Sequence, residues 1–122
     1  MERQRYKFSL EQRLRKSGDF EQVYDRGIRA GDSHLLVFAL RNGTTLTRLG
    51  VSVSRKHGCA VIRNLKRRRL KEAFRRLQHE LPAGLDLVIV PRQRLDSELS
   101  DYLKSLGKLV RKLTVDLGMS ST

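Results

Sequence analysis

Two short apolar runs, RLGVSVS at 48–54 and LDLVIV at 85–90, bracket a long stretch of helical periodicity, and this succession constrains the fold more than any other feature of the chain. In the first run Val51 and Val53 point to one side and Ser52 and Ser54 to the other, as the strand period of two requires. The second is rich in β-branched residues, is closed by Pro91, and has the apolar content of a buried strand. Between them a helix is predicted from Ala60 to Glu80, stopped by Pro82 and Gly84. At about 100° per residue, Ile62, Leu70, Ala73, Phe74, Leu77 and Leu81 gather on one side of it. Strand, helix and strand in this order predict a βαβ unit.

The flanking segments supply the rest of one domain, which is all that 122 residues allow. Residues 1–12 mix basic, polar and single apolar residues without a sustained period and read as a basic N-terminal arm. Ser17 offers an N-cap to a helix over Gly18 to Arg26, with Asp19 and Glu21 in its first turn and Gly27 as its stop. Phe20, Val23 and Tyr24 share one face of that helix, which composition alone reads as core. Residues 33–40, SHLLVFAL, form a strand-length apolar run between turn residues. A last helix, capped by Asp96 or Ser97, runs to about Asp116 and carries a leucine stripe that packs on the sheet or on a partner. The expected domain is therefore residues 13–118, with 119–122 as a polar tail.

The other side of the central helix decides the class of partner. From Arg55 to Arg76 there are ten basic residues (Arg55, Lys56, Arg63, Lys66, Arg67, Arg68, Arg69, Lys71, Arg75, Arg76) and one acid, Glu72. A solvated charged face normally interleaves acids as i, i+4 partners, so this imbalance points to a polyanion. The whole chain carries a formal charge of +13, which repels itself in a compact monomer unless an acidic polymer is the usual companion. Nucleic acid is favoured over membrane, because no run approaches the roughly 18 consecutive apolar residues of a membrane span. No secretory leader is evident, and the single cysteine, Cys59, fits a reducing compartment, so a cytoplasmic location is expected. The small, polar sheet face carrying Ser52 and Ser54 permits close approach of a nucleic-acid backbone or is simply solvated.

A search for catalytic chemistry is mostly negative. His34, His57 and His79 lie apart, no H-x-x-x-H or C-x-x-C spacing is present, and the acids form no paired cluster for two-metal hydrolysis. Cys59 lacks an evident base partner. Residue patterns alone stop at a basic α/β domain that binds RNA or DNA.

The run RLGVSVSRKHGCAVIRNLKRRRLKEAFR closely resembles the signature of the bacterial ribonuclease P protein subunit. LRKSGDFEQVYDRG is similar to that family's first helix, and GLDLVIVPR and the leucine-striped last helix follow in the same order, so the resemblance covers about Arg13 to Leu117. It implies an α+β fold, an α/β sandwich, with a central mixed sheet of about four strands. The signature helix is then a βαβ crossover of unusual left hand, and the C-terminal helix packs on the sheet. It also implies an activity: removal of the 5′ leader from precursor tRNA by a ribonucleoprotein whose RNA subunit, with Mg²⁺ bound at the RNA active site, performs the hydrolysis. The protein would bind the catalytic RNA and the leader, supply no catalytic residue or metal site of its own, and need no stable protein partner.

Two surfaces follow from the resemblance. Arg55, Lys56, Arg63, Asn64, Lys66, Arg67, Arg68, Lys71 and Arg75 are expected on the catalytic RNA. Phe20, Tyr24 and Phe38 are expected to line a cleft for the single-stranded leader, with Ser52 and Ser54 offering hydroxyls beside them. Two positions depart from the family pattern. Leu65 stands where a second Arg usually follows Arg-Asn, leaving Lys66 or Arg69 to supply the charge. Cys59 stands where an Asn usually holds the turn before the helix. A generic RNA-binding module and a self-sufficient nuclease are the competing classes; signature order and aromatics argue against the first, the missing acid cluster against the second.

Overall fold

The protein is described over residues 8–119 of a computed structural model. The elements are α1 (Ser17–Arg26), β1 (Ile28–Gly31), β2 (Leu35–Arg41), β3 (Arg48–Val51), α2 (Ala60–Leu77), β4 (Leu85–Pro91) and α3 (Leu99–Asp116). Single 3₁₀ turns precede α1 at Leu10–Gln12 and α2 at Arg55–His57. The sheet order is β1-β2-β4-β3, with β2 antiparallel to both neighbours and β3 parallel to β4. Parallel neighbours need a crossover, and α2 provides it, so the βαβ unit read from the sequence is present in a four-stranded mixed α+β sheet.

Strand alternation sorts the sheet into two faces. Leu35, Val37, Ala39, Leu49, Leu85, Leu87 and Ile89 point to the side covered by α2 and α3, where Leu70, Phe74, Tyr102, Leu106, Val110 and Leu113 complete the main core. The opposite side holds a smaller core of Leu14, Val23 and Val88, fringed by the partly buried Phe20, Phe38, Leu40 and Val90. The single helix α1 covers that side incompletely. Both faces of β4 are covered, which explains why LDLVIV is apolar at every position except the buried Asp86.

The structure corrects several boundaries. β1 is not evident from the residues alone: IRAG is short, and its pairing with β2, from Ile28 opposite Ala39 to Gly31 opposite Leu36, creates the strand. The chain enters β1 directly from α1 through Gly27, whose N–H donates to Val23 O at 2.9 Å. A Cβ at Gly27 would lie 2.5 Å from Val23 O and 2.6 Å from Ala39 O, so only glycine lets the helix end abut β2. Lys16, not Ser17, occupies the N-cap of α1. Glu98, not Asp96 or Ser97, occupies that of α3, where the Asp101 carboxylate accepts its N–H at 2.8 Å. The α2 helix ends at Leu77 rather than Glu80, and the β3 ladder at Val51 rather than Ser54, although Ser52 N–H still donates to Ile89 O at 2.9 Å.

Residues 8–12 of the expected arm are anchored. The Phe8 ring meets Phe74 edge-on at 5.4 Å, and the Arg13 guanidinium lies 4.9 Å above the Phe8 ring. Residues 1–7 and the tail from Ser120 lie outside the described residues.

Candidate nucleic-acid interface

The approach to α2 is a pinned loop. His57 is buried, and its Nδ1 accepts the Ser54 N–H at 3.0 Å, which leaves the proton on Nε2 to be donated to Pro91 O at 2.7 Å. The imidazole thus ties the loop to the end of β4 and presents Arg55 and Lys56 outward, both exposed. Cys59 takes the N-cap of α2, where the backbone N–H groups of Ile62 and Val61 pull its thiol below the usual range. The imidazole holds the turn that the family pattern assigns to an Asn, while Cys59 makes no side-chain capping hydrogen bond.

Along α2, Asn64, Arg68 and Lys71 are exposed and Arg63 and Arg67 half-buried. Arg67 is oriented from two sides: Nη1 donates to Asn64 Oδ1 at 2.9 Å and Nη2 to Val53 O at 3.2 Å. Arg68 and Lys71 have no hydrogen-bond or ion-pair partner among the described residues. The Nε–H of Arg63 is buried with none. Arg75 is engaged: its fork grips the Glu72 carboxylate at 2.8 and 2.7 Å, and Arg76 Nε joins at 2.7 Å. Hydrogen bonding from Arg75, outweighing partial burial and reinforced by Arg76, holds the Glu72 carboxyl down at about 2.

Lys66 is a correction. Expected on the RNA-facing side, it is instead buried, and its Nζ donates to Arg94 O at 2.6 Å and Arg92 O at 3.2 Å. Burial pushes its pKa down, and its ammonium serves to strap the segment after β4 onto α2. Arg69 likewise donates to Ser97 O at 2.7 Å. Both candidates for the charge missing at Leu65 are therefore committed within the protein. Replacing Lys66 by Met keeps the aliphatic stem and removes the two carbonyl contacts; unfolding measurements should show a loss of about 1.5 to 3 kcal/mol, with the salt dependence of RNA binding unchanged. A flatter salt dependence without loss of stability would return Lys66 to the RNA-facing set.

The partly covered sheet face brings the three aromatics together. Tyr24 on α1 and Phe38 on β2 meet edge-to-face at 4.9 Å and 85°, and Tyr24 remains 38% exposed. Phe20 lies over Gly50 of β3, where a Cβ would sit 2.6 Å from the ring's Cζ. Gly50→Ala therefore forces the Phe20 ring out toward the open face; thermal unfolding should report a loss of about 1 to 3 kcal/mol. An unchanged or higher stability, the usual direction for Gly→Ala in a strand interior, would contradict this packing.

Ser52 and Ser54 follow β3 and line a second recess with Lys56, Val90, Arg92 and Gln93. Val90 also borders the aromatic cluster, so recess and cleft are neighbours. Arg92 and Gln93 do not stand out in the sequence. Their signal is position: they follow the carboxyl end of β4 beside that of β3, where open sheets with parallel strands place ligands.

A cationic helix on one face of the sheet and a half-open aromatic cleft on the other define an RNA-binding α+β domain. Residues 8–114 match the family model for ribonuclease P. The chain is 33% identical over 112 residues to the ribonuclease P protein component of Clostridioides difficile, covering 90% of this chain and 98% of that one. It is 46% identical over 86 residues to that of Oleidesulfovibrio alaskensis, 69% of each chain. The solved ribonuclease P protein of Thermotoga maritima superposes with a TM-score of 0.75 at 31% identity, over 82% of this chain and 96% of that one. The chain belongs to the ribonuclease P protein family, as a protein component of that ribonucleoprotein.

Proposed function

We propose that the outer face of α2 docks on the catalytic RNA subunit of ribonuclease P while the cleft beside α1 holds the single-stranded 5′ leader of precursor tRNA. The holoenzyme is an endoribonuclease that removes this leader in tRNA maturation. Hydrolysis, with Mg²⁺ at the RNA active site, belongs to the RNA subunit, and no residue of this chain is assigned to the metal. The chain's own work is binding: Arg55, Lys56, Arg63, Asn64, Arg67, Arg68 and Lys71 toward the catalytic RNA, and Phe20, Tyr24, Phe38, Ser52 and Ser54 toward the leader. Arg75, shared with Glu72, is a secondary member of the first set. The place of work is the cytoplasm; among the described residues no helix is long and apolar enough to cross a membrane.

One observation carries the reading: the row of cations on the outer face of α2 and the aromatic cleft beside α1 lie on opposite faces of the sheet. Arg68 and Lys71 face outward without protein partners among the described residues, as a phosphate-binding surface requires. Tyr24 and Phe38 are held half-open by each other, which suits stacking on bases of any sequence, because every base has a π face. Reconstitution tests it. Protein plus ribonuclease P RNA at low Mg²⁺ should cleave a leader-bearing precursor at the mature 5′ end, with neither subunit active alone. Absence of stimulation would remove the proposal, and cleavage by the protein alone would make it a nuclease.

A further inference from the structure

The sheet face that carries the aromatic cleft has a second flank. At helical spacing Tyr24 leaves the inward line of α1 (Phe20, Val23 and the C-cap Gly27) on one side and Gln22 and Arg26 on the other. On the Arg26 side, α1 and the far ends of β2, β3 and β4 enclose a pocket of about 380 Å³ lined by Gln22, Arg26, Leu40, Arg41, Arg48 and Asp86. That volume lies within the range of small-ligand sites, about 300 to 1,000 Å³.

We propose that this pocket is a third RNA site, which takes a backbone phosphate through Arg26, Arg41 and Arg48. The site is built around Asp86, which is buried at 6% exposure. Its Oδ1 accepts Arg48 Nε at 2.8 Å and Asn42 Nδ2 at 2.8 Å, and its Oδ2 accepts Arg48 Nη2 at 2.6 Å. The carboxylate is thus consumed in fixing one guanidinium, and Arg48 Nη1 keeps its donors without a partner among the described residues, on a side chain 32% exposed. Arg26 and Arg41 are exposed and make no hydrogen bond or ion pair among the described residues. The other nearby acid, Asp19 on α1, acts on Arg48 only through space. Three guanidinium groups against two carboxylates leave the pocket cationic.

Its chemistry selects phosphate over base. A preorganised guanidinium fork matches two phosphate oxygens, and among the described residues the pocket wall contains no aromatic ring on which a base would stack. The two flanks of α1 thereby divide their labour: rings and hydroxyls on the Tyr24 side, guanidinium groups on the Arg26 side. The inference rests on the proposed function only in taking RNA as the partner. The phosphate comes from the catalytic RNA or from the substrate, and the test separates the two.

Affinity is measured against salt concentration for ribonuclease P RNA and, separately, for a single-stranded leader oligonucleotide. The double variant R26Q/R41Q leaves the Arg48–Asp86 pair intact. It should reduce the magnitude of the slope of log affinity on log salt by about 1.4 to 1.8 units, and the RNA that shows the change identifies the source. K104Q/K112Q removes the same charge from exposed positions of α3 and should leave the slope nearly as it was. Unchanged slopes for R26Q/R41Q with both RNAs overturn the site, as does an equal change in K104Q/K112Q, which would reduce it to overall charge. A third arm, R67A/R68A/K71A, keeps the readings apart: loss there alone removes this site and leaves α2 docking intact. Loss in R26Q/R41Q alone does the reverse.

Discussion

Alanine at Arg67, Arg68 and Lys71 together should flatten the plot of log affinity against log salt for ribonuclease P RNA by about two to three units, somewhat under one for each phosphate left without its cation. Arg68 and Lys71 have no partner among the described residues, so their removal exposes RNA phosphates and disturbs little else. Arg67 differs, because it also bridges Asn64 and the Val53 carbonyl. Its single substitution should loosen the Ser52–Ser54 loop and cost affinity beyond the salt-dependent part. Arg75→Gln should have a smaller effect on the slope, since Glu72 already shares its charge. Lower affinity of the triple variant at an unchanged slope would mean loop geometry rather than phosphate neutralisation, and would contradict the assignment.

Removing Tyr24 or Phe38 should weaken binding of leader-bearing precursor tRNA by about 1 to 3 kcal/mol per stacked base and leave mature tRNA unaffected. Because the two rings hold each other at 4.9 Å, the double variant should lose less than the sum of the single ones. Phe20 is the poorer probe. It packs with Leu14, Val23 and Val88 and covers Gly50, so Phe20→Ala unseats α1 as well as removing a ring. Equal losses with precursor and mature tRNA for Tyr24 and Phe38 would show that these rings, too, serve only the smaller core.

The architecture is legible where a period is sustained. β4 and the apolar stripes of α2 and α3 each repeat long enough to be recognised, and α2 falls between two strands, which fixes the crossover. β1 is not legible, since four residues that end on a glycine acquire their conformation from β2. For the site, counting charge along α2 finds the cations but not their directions. Lys66 stands four residues after Ile62 and four before Leu70, inside the apolar stripe, and that spacing marks it as inward-facing. Arg75 and Arg76 stand three and four residues after Glu72, which is the spacing of an ion pair on one helix face. The Phe20, Val23 and Tyr24 face reads as core from composition, and the structure makes it both: Val23 is fully buried while Tyr24 is not. Its use as a cleft enters only through the family resemblance. His57 cannot be ranked above His34 or His79 by sequence, because its partners, Ser54 N–H and Pro91 O, meet only when β4 lies beside the loop.

Site-directed crosslinking in the assembled holoenzyme tests the two-surface arrangement most directly. In a Cys59→Ser background, which removes the single exposed native thiol, a photo-crosslinker is attached to a cysteine placed at Tyr24 or at Arg68 and the complex is formed with precursor tRNA. Attachment at position 24 should label leader nucleotides of the substrate, and attachment at position 68 should label the catalytic RNA. Labelling of the catalytic RNA from position 24, or of the leader from position 68, would contradict the assignment of the two faces.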